Sequence, residues 1–309
     1  MDKIWITGSR GFIGKELVLS LKQDYEIKCL THNTNEDFCI IKDIIQINFL
    51  NEKSIIKLVH EFGLPDIFIH LGWAAMNDSE SEEHLNFNVN SSKNLINIFL
   101  KLGLKKFIFL GSRDEYGERN GCLLETMNPR GMISRYANAK NIVAKYGFEQ
   151  ANKMEKIFIH IRLFNVYGAG QKENSLINTL YKNFHNNLIT YLGPSMHFRE
   201  YIHISEVCKG IQLIFQINKS LTVNLGSGKA IRLKDFVNLF WKELGGKENR
   251  IIFESEQIRK NDTIYAESYA DLKKLNELVS WVPSLSIEDG IKNTIKKLNS
   301  LNGYEKENG

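Results

Sequence analysis

The chain has 309 residues, of which 40 are basic and 36 acidic, giving a net charge of +4, with 43% apolar and 25% charged residues. This is ordinary globular composition, long enough for one large domain or two closely joined ones around a sizeable core. The mild charge, with no basic cluster interleaved with aromatics, argues against a nucleic-acid partner, and no apolar run approaches the roughly 20 residues that span a bilayer.

Short apolar runs alternate with helix-period segments. "KIWITG" is followed by a helical "GKELVLSLKQ", then an extended "YEIKCLTH" and a helical "NEKSIIKLVHEFG". Next come "PDIFIHLG", the amphipathic "NFNVNSSKNLINIFLKLG", "KKFIFLGS", the helical "YANAKNIVAKYGFEQANK" and "IFIHIRLFNVYG". Strands alternating with helices, and nearly continuous in Ile, Phe and Leu, predict βαβ units around a parallel sheet covered on both faces. After Gly170 the rhythm loosens. "NSLINTLYKNF" reads as helix, "NLITYLG" as extended, "ISEVCKGIQLIFQI" as helix, "LTVNLGSG" as one more strand and "LKDFVNLFWKEL" as helix, with a polar tail behind. The predicted fold is α/β, a Rossmann-type doubly wound parallel sheet with a smaller interleaved C-terminal α/β substrate domain. Residues 1–168 plus about 201–226 would form the dinucleotide-binding domain, and about 169–200 plus 227–309 the other.

"TGSRGFIG", residues 7 to 14, stands between the first predicted strand and the first predicted helix. A tight glycine turn there makes an anion site, because the backbone approaches a pyrophosphate closely and the helix offers unpaired N–H groups and a positive dipole end. Gly8 allows the turn, Gly11 the close approach and Gly14 tight packing of helix on strand. A dinucleotide cofactor is expected on this context. The spacing is GxxGxxG, and it resembles the fingerprint of the extended short-chain dehydrogenase/reductase family, whose members mostly act on nucleotide-linked sugars. NAD-preferring members carry an Asp or Glu after the second strand, on the ribose hydroxyls. This chain has Thr31, His32 and Asn33, with no carboxylate until Glu36. The missing carboxylate removes repulsion toward a 2′-phosphate, and Arg10 offers a bidentate cation, so NADP(H) is favoured over NAD(H).

"SRYANAK" puts Tyr136 and Lys140 at i and i+4, on one face of a helix. A nearby ammonium favours the phenolate of a tyrosine whose ordinary value, about 10, is too high for proton shuttling at neutral pH. The spacing is common by chance; its place after the predicted strand "KKFIFLGS", in a chain with the glycine loop, gives it weight. The family resemblance supplies the third member, Ser112, four residues before Tyr116, whose hydroxyl would bond the substrate oxygen that exchanges a proton with Tyr136. "IHLGWAA", "NVNSSKNL", "RLFNVYG", "FREYIH", "RKND" and "WVPSLSIEDG" extend the resemblance over residues 1 to 295.

The resemblance also implies the lining of the sites. Ser9, Phe12, Ile13, Asn48, Phe49 and Leu71 fall at cofactor positions with the residues already named. So do Gly72, Trp73, Asn88, Leu110 and Leu163. Ser112, Arg113 and Asn165 fall at sugar-side positions. Arg199 and Arg259 fall where the family binds a nucleotide diphosphate, which two guanidinium forks suit. A homodimer is implied through the helices bearing Asn94 and Tyr136.

The shared chemistry is hydride transfer at a sugar carbon, usually C4, with Tyr136 handling the proton. Dehydratases of the family need acids after the Ser; here Asp114 is one carbon shorter than the usual Glu and Arg113 replaces its partner, which disfavours dehydration. "FLGS" also resembles GDP-fucose synthase, but Asp114 and Gly170 stand at its extra Cys and His. The working expectation is an NADPH-dependent reductase of a nucleotide-linked 4-keto-6-deoxy sugar. An NAD-dependent 4-epimerase is the alternative; a non-catalytic dinucleotide- or RNA-binding relative is the reading from another class.

Cys29, Cys39, Cys122 and Cys208 are widely separated and form no zinc spacing, so they read as small apolar residues in a reducing compartment. The N-terminus runs straight into a strand, and a cytoplasmic location is expected. The histidines show no metal spacing and no metal is expected. His70 and His160 read as satisfied core residues, and His203 as bracing a turn.

Overall fold

The computed structural model describes residues 1–32, 44–254 and 267–303. The apolar runs become strands buried from both sides: every residue of "IFIH" at 67–70 and of "KFIFL" at 106–110 is buried. The central strands are β1 (Lys3–Thr7), β2 (Glu26–Thr31), β3 (Ile44–Gln46), β4 (Ile67–His70), β5 (Lys106–Leu110), β6 (Ile157–Leu163) and β7 (Leu221–Leu225). They form one seven-stranded sheet in the order β7-β6-β5-β4-β1-β2-β3. Every neighbouring pair is parallel. The helices are α1 (Phe12–Leu21), α2 (Glu52–Phe62), α3 (Asn90–Lys101), α4 (Arg135–Lys153), α5 (Leu176–His185), α6 (Ile204–Ile214), α7 (Leu233–Glu243), α8 (Lys273–Val279) and α9 (Ile287–Asn302).

The period-2 alternation sorts the sheet into two chemically different faces. Ile4, Ile6, Ile67, Ile69, Ile108, Ile159 and Val223 make an aliphatic face under α1 and α6. Trp5, Phe68, Phe107, Phe109 and Phe158 make an aromatic face packed with residues of α2, α3 and α4. Each such ring, fully withdrawn from water, contributes about 2–3 kcal/mol. Small residues bring α4 down onto this face: Ala139, Ala144 and Ala151 are buried, and a Cβ at Gly147 would lie 2.2 Å from the Phe158 ring. That close approach fixes the height of Tyr136 and Lys140 above the sheet.

Three of the elements named above were not read from the sequence. β3 is a three-residue edge strand, too short to show a period. The polar tail is a misreading, because it contains α8 and the sixteen-residue α9. α9 is polar overall but carries Ile287, Ile291, Ile295 and Leu298 in one stripe, which packs with α5 and α7 around Phe236, Phe240 and Leu180. Ser286 caps its start by accepting from the Asp289 N–H at 3.0 Å.

The chain steps from β1 toward β3 on one side and from β4 toward β7 on the other, so the order reverses between β1 and β4. In open α/β sheets the ligand crevice forms at the carboxyl ends of the strands at such a reversal. Thr7 and His70, the last residues of β1 and β4, meet there: Thr7 Oγ1 is 2.6 Å from His70 Nδ1 and accepts the Gly72 N–H at 3.1 Å.

Candidate active site

The glycine loop lies across this reversal. Gly8 has φ +73°, and a Cβ on it would stand 2.6 Å from the Gly72 nitrogen, so the loop after β1 presses directly on the loop after β4. A Cβ on Gly14 would stand 2.1 Å from the Gly8 carbonyl oxygen. Gly11 differs: it is exposed, and its Cβ would meet only the Gly8 oxygen, at 3.3 Å. Gly11 is also the N-cap of α1, so that helix end has no side-chain cap and no acid in its first turn. The Ser9 hydroxyl, buried in the loop, has no hydrogen-bond partner among the described residues. A glycine-lined turn at an uncapped helix N-terminus fits a dinucleotide pyrophosphate. Among the described residues, β2 ends on Thr31 and an exposed His32 whose ring lies 5.0 Å from Phe87 and 6.0 Å from Phe49. Asn33 and Glu36 lie outside the described residues.

Across the crevice, Ser112, Tyr136 and Lys140 come together. Ser112 follows β5 and caps the short turn Arg113–Tyr116, accepting the Asp114 N–H at 3.1 Å. Its hydroxyl is near enough to the Tyr136 phenol to act on its acidity. Burial pushes that phenol above its usual value, the charge of Asp114 adds to the rise, and the Ser112 hydroxyl opposes it. Lys140 is buried; its amine donates to the Leu110 carbonyl at 2.7 Å and lies 3.7 Å from the Trp73 ring centroid. Burial pulls the amine down to about 7, against the Glu115 carboxylate, which pushes it back up. The amine stands 5.7 Å from the centre of the Tyr136 ring. Pair and serine come together as expected, but the phenol is raised by burial and by the Asp114 and Glu115 charges rather than acidified by the lysine.

The sequence reading missed the charged array beneath Ser112. Glu115 is fully buried; its Oε1 accepts the Ser112 N–H at 2.7 Å, and its two carboxylate oxygens lie 3.2 and 3.1 Å from His160 Nε2. Arg162 Nε stands 3.5 Å away, its guanidinium 4.4 Å from the Tyr116 ring centre. Burial pushes Glu115 up, but His160, Arg162 and the Ser112 N–H outweigh it and hold the carboxyl below its ordinary range. A Cβ on Gly111 would strike His160 at 2.2 Å and Glu115 at 2.3 Å. The signal was present: His160 and Arg162, two apart in an apolar strand, share one face and demand an acid.

Other expected residues are distributed as follows. Asn88 accepts from the Ala74 N–H at 2.8 Å and donates to its carbonyl at 3.1 Å, clamping the loop after β4. Phe49 is buried, with its carbonyl held by Asn94 at 2.7 Å, whereas Asn48 is exposed and accepts the Leu50 N–H at 3.0 Å. Leu110 and Leu163 are buried at the ends of β5 and β6. Phe12 and Ile13 pack on the aliphatic core. Asp114 is 58% exposed and 3.9 Å from Arg113. Arg113 itself donates to Ser268 Oγ and to the carbonyls of Gly117 and Arg119, at 3.1 to 3.2 Å. Burial lowers the Arg113 guanidinium, Asp114 opposes this, and Arg199, exposed on the strand Phe198–Glu200, adds to the lowering. The Asn165 amide donates to the Glu200 carbonyl at 3.1 Å. Arg259 lies outside the described residues. His70 and His160 are satisfied core residues as expected: His70 Nε2 lies 2.8 Å from Ser92 Oγ, and burial, then Lys140, lower it to about 3. His203 caps α6 through the Ser205 N–H at 3.2 Å.

A doubly wound parallel sheet with a glycine-lined crevice, a serine and a Tyr–Lys pair defines the class of dinucleotide-dependent α/β enzymes. The chain belongs to the NAD dependent epimerase/dehydratase family, whose model matches residues 4–226. It is 22% identical over 308 residues to a UDP-glucuronate 4-epimerase of Thermodesulfobacterium geofontis, covering 94% of each chain. The fold superposes on UDP-glucose 4-epimerase from Thermotoga maritima, solved with UDP-glucose, with a TM-score of 0.84, 22% identity and coverage of 97% and 99%. UDP-glucose 4-epimerase from Stenotrophomonas maltophila, solved with NAD and formylated UDP-arabinopyranose, gives 0.84 at 19% identity, covering 99% and 100%. Among the described residues no helix is long and apolar enough to cross a membrane.

Proposed function

We propose that the chain is an NADPH-dependent reductase of a nucleotide-linked 4-keto-6-deoxy sugar. The observation that carries the reading is the end of β2, where Thr31 and His32 present no carboxylate. Burial and Asp114 favour the protonated form of Tyr136. A ketone reductase starts from the phenol, which gives a proton to the nascent alkoxide, whereas oxidation of an alcohol starts from the phenolate. The end of β2 supports the phosphorylated cofactor, since Thr31 and His32 bring no carboxylate toward a 2′-phosphate.

Gly8, Gly11 and Gly14 with the start of α1 would hold the pyrophosphate, and Arg10 the 2′-phosphate. A bound NADPH supplies the hydride. Tyr136 delivers the proton to O4, and Ser112, beside that phenol, holds the same oxygen. Lys140, behind them, supplies positive charge that favours the phenolate left after transfer. Arg199, with Arg259, would take the diphosphate, and residues about 169–200 and 227–309 the rest of the nucleotide sugar. A homodimer through α3 and α4 belongs to the same proposal, with sedimentation mass as its measure.

A 4-epimerase is the second reading, favoured by the names of the relatives above. Incubating pure protein with 4-keto-6-deoxy nucleotide sugars and following NADPH absorbance tests the first. No oxidation with any of them, together with epimerisation of an unmodified nucleotide hexose by protein carrying NAD, would reverse the order.

A further inference from the structure

The Lys140 amine is buried without an ion-pair partner at bonding distance among the described residues. Its hydrogen bond goes to the Leu110 carbonyl, and the rings of Trp73, Phe109 and Tyr136 surround it at 3.7, 4.8 and 5.7 Å. A cation over an indole face is attracted by the ring quadrupole, more strongly for Trp than for Phe or Tyr and more strongly when desolvated.

The indole is itself fixed. Its Nε1–H donates to His84 Nδ1 at 3.1 Å. Accepting there makes Nε2 the protonated nitrogen of a neutral ring, and Nε2 donates to the Asp78 carbonyl at 2.8 Å. His84 is fully buried, stacks on Trp73 at 25° between planes, and stands edge-on to Tyr136 with centroids 5.4 Å apart. The same loop is tied to α4, where the Tyr136 N–H donates to the Ser79 carbonyl at 2.9 Å. One loop therefore sets both members of the Tyr–Lys pair.

We propose that Trp73 is a positioning residue: its indole face docks the charged Lys140 amine, and His84 keys the indole in place. The inference rests on the reading that Lys140 serves the reaction proposed above. The titratable groups around the amine are His70 on β4, Glu115 in the turn after β5 and Tyr136 on α4, with His84 behind the indole. His70 is held neutral, and Glu115 favours the charged amine, so a substitution at Trp73 leaves those influences unchanged.

Two measurements test it. In lysine-labelled wild-type protein, with the resonance assigned by Lys140→Met, the indole ring current moves the Lys140 Cε protons upfield; an unshifted resonance overturns the proposal without any variant. In Trp73→Leu, which fills the space without a π face, the upfield shift disappears and the amine's titration midpoint falls by about one pH unit. The matching limb of the kcat profile moves with it, KM for the nucleotide sugar stays constant, and Trp73→Phe restores most of both. A Leu variant with unchanged midpoint and unchanged profile also overturns it. A Trp73-dependent shift in a protein that turns over no nucleotide sugar leaves the docking standing and removes the proposed function instead.

Discussion

Gly11→Ala and Gly14→Ala separate the two roles of the glycine loop. At Gly14 the new methyl would lie 2.1 Å from the Gly8 oxygen, 2.7 Å from Ser9 Cα and 2.8 Å from the Gly8 carbonyl carbon. All three are backbone atoms, so no side chain can swing aside, and the strand–helix turn must open by about 1 Å. Overpacking of that kind costs about 1–3 kcal/mol, felt with or without a ligand. At Gly11 the methyl meets one atom at 3.3 Å, φ is −74° and the residue is exposed. Alanine there loses some N-cap preference but orders the unfolded chain less expensively, two effects of about 0.5 kcal/mol and opposite sign. Gly11→Ala therefore leaves stability within about 1 kcal/mol of wild type while placing a methyl where a pyrophosphate has to approach. Denaturant unfolding without cofactor and NADPH fluorescence titration are the paired assays. Gly14→Ala lowers both stability and affinity; Gly11→Ala lowers affinity at least tenfold and stability hardly at all. Undiminished NADPH affinity in Gly11→Ala would refute the assignment of this loop to the pyrophosphate.

Three further outcomes are expected. Tyr136→Phe lowers kcat by about 10²–10⁴-fold while unfolding shifts by no more than about 1 kcal/mol, because the ring is kept and any polar contact goes with the hydroxyl itself; wild-type turnover in that variant would remove the proton donor. Glu115 is held below its ordinary range, so its stabilisation is complete above the unfolded carboxylate value and is lost as pH falls through the lowered folded one. Glu115→Gln therefore costs about 3–5 kcal/mol at neutral pH, by leaving His160 and Arg162 unpaired, and flattens the acid limb of stability measured by denaturant titration; an unchanged acid limb sinks this account. His32→Asp introduces a carboxylate at the end of β2 and lowers the NADP-over-NAD preference by about tenfold or more in steady-state kinetics, and a preference that does not move would place the 2′-phosphate elsewhere.

Six of the seven strands of the sheet were legible because they advertise themselves: runs such as "KFIFL", ending on glycine and followed by a helical segment, admit few other arrangements. The glycine loop and the Tyr–Lys spacing were legible for a related reason, since both are local constraints of one turn or less. What escaped was carried by few residues or by distant ones. β3 offers three residues, and α9 shows a stripe of four apolar side chains in a polar helix. Glu115 reads as one acid in a polar turn until β6 brings His160 and Arg162 against it.

The Tyr–Lys pair shows the limit most sharply. A spacing of four residues places two side chains on one helical face, but says nothing of what that face meets. Here α4 lies close over an aromatic sheet face because Gly147 permits it, and the pair is buried against Trp73 and Phe109 rather than in solvent. Desolvation opposes charge on both groups, raising the phenol and lowering the amine. Burial thus keeps Tyr136 protonated and brings the Lys140 amine near neutrality, where charged and uncharged forms coexist. The charge state of the two groups, left open by the motif, is therefore set by burial, a property of the packed helix rather than of the two residues that name the motif.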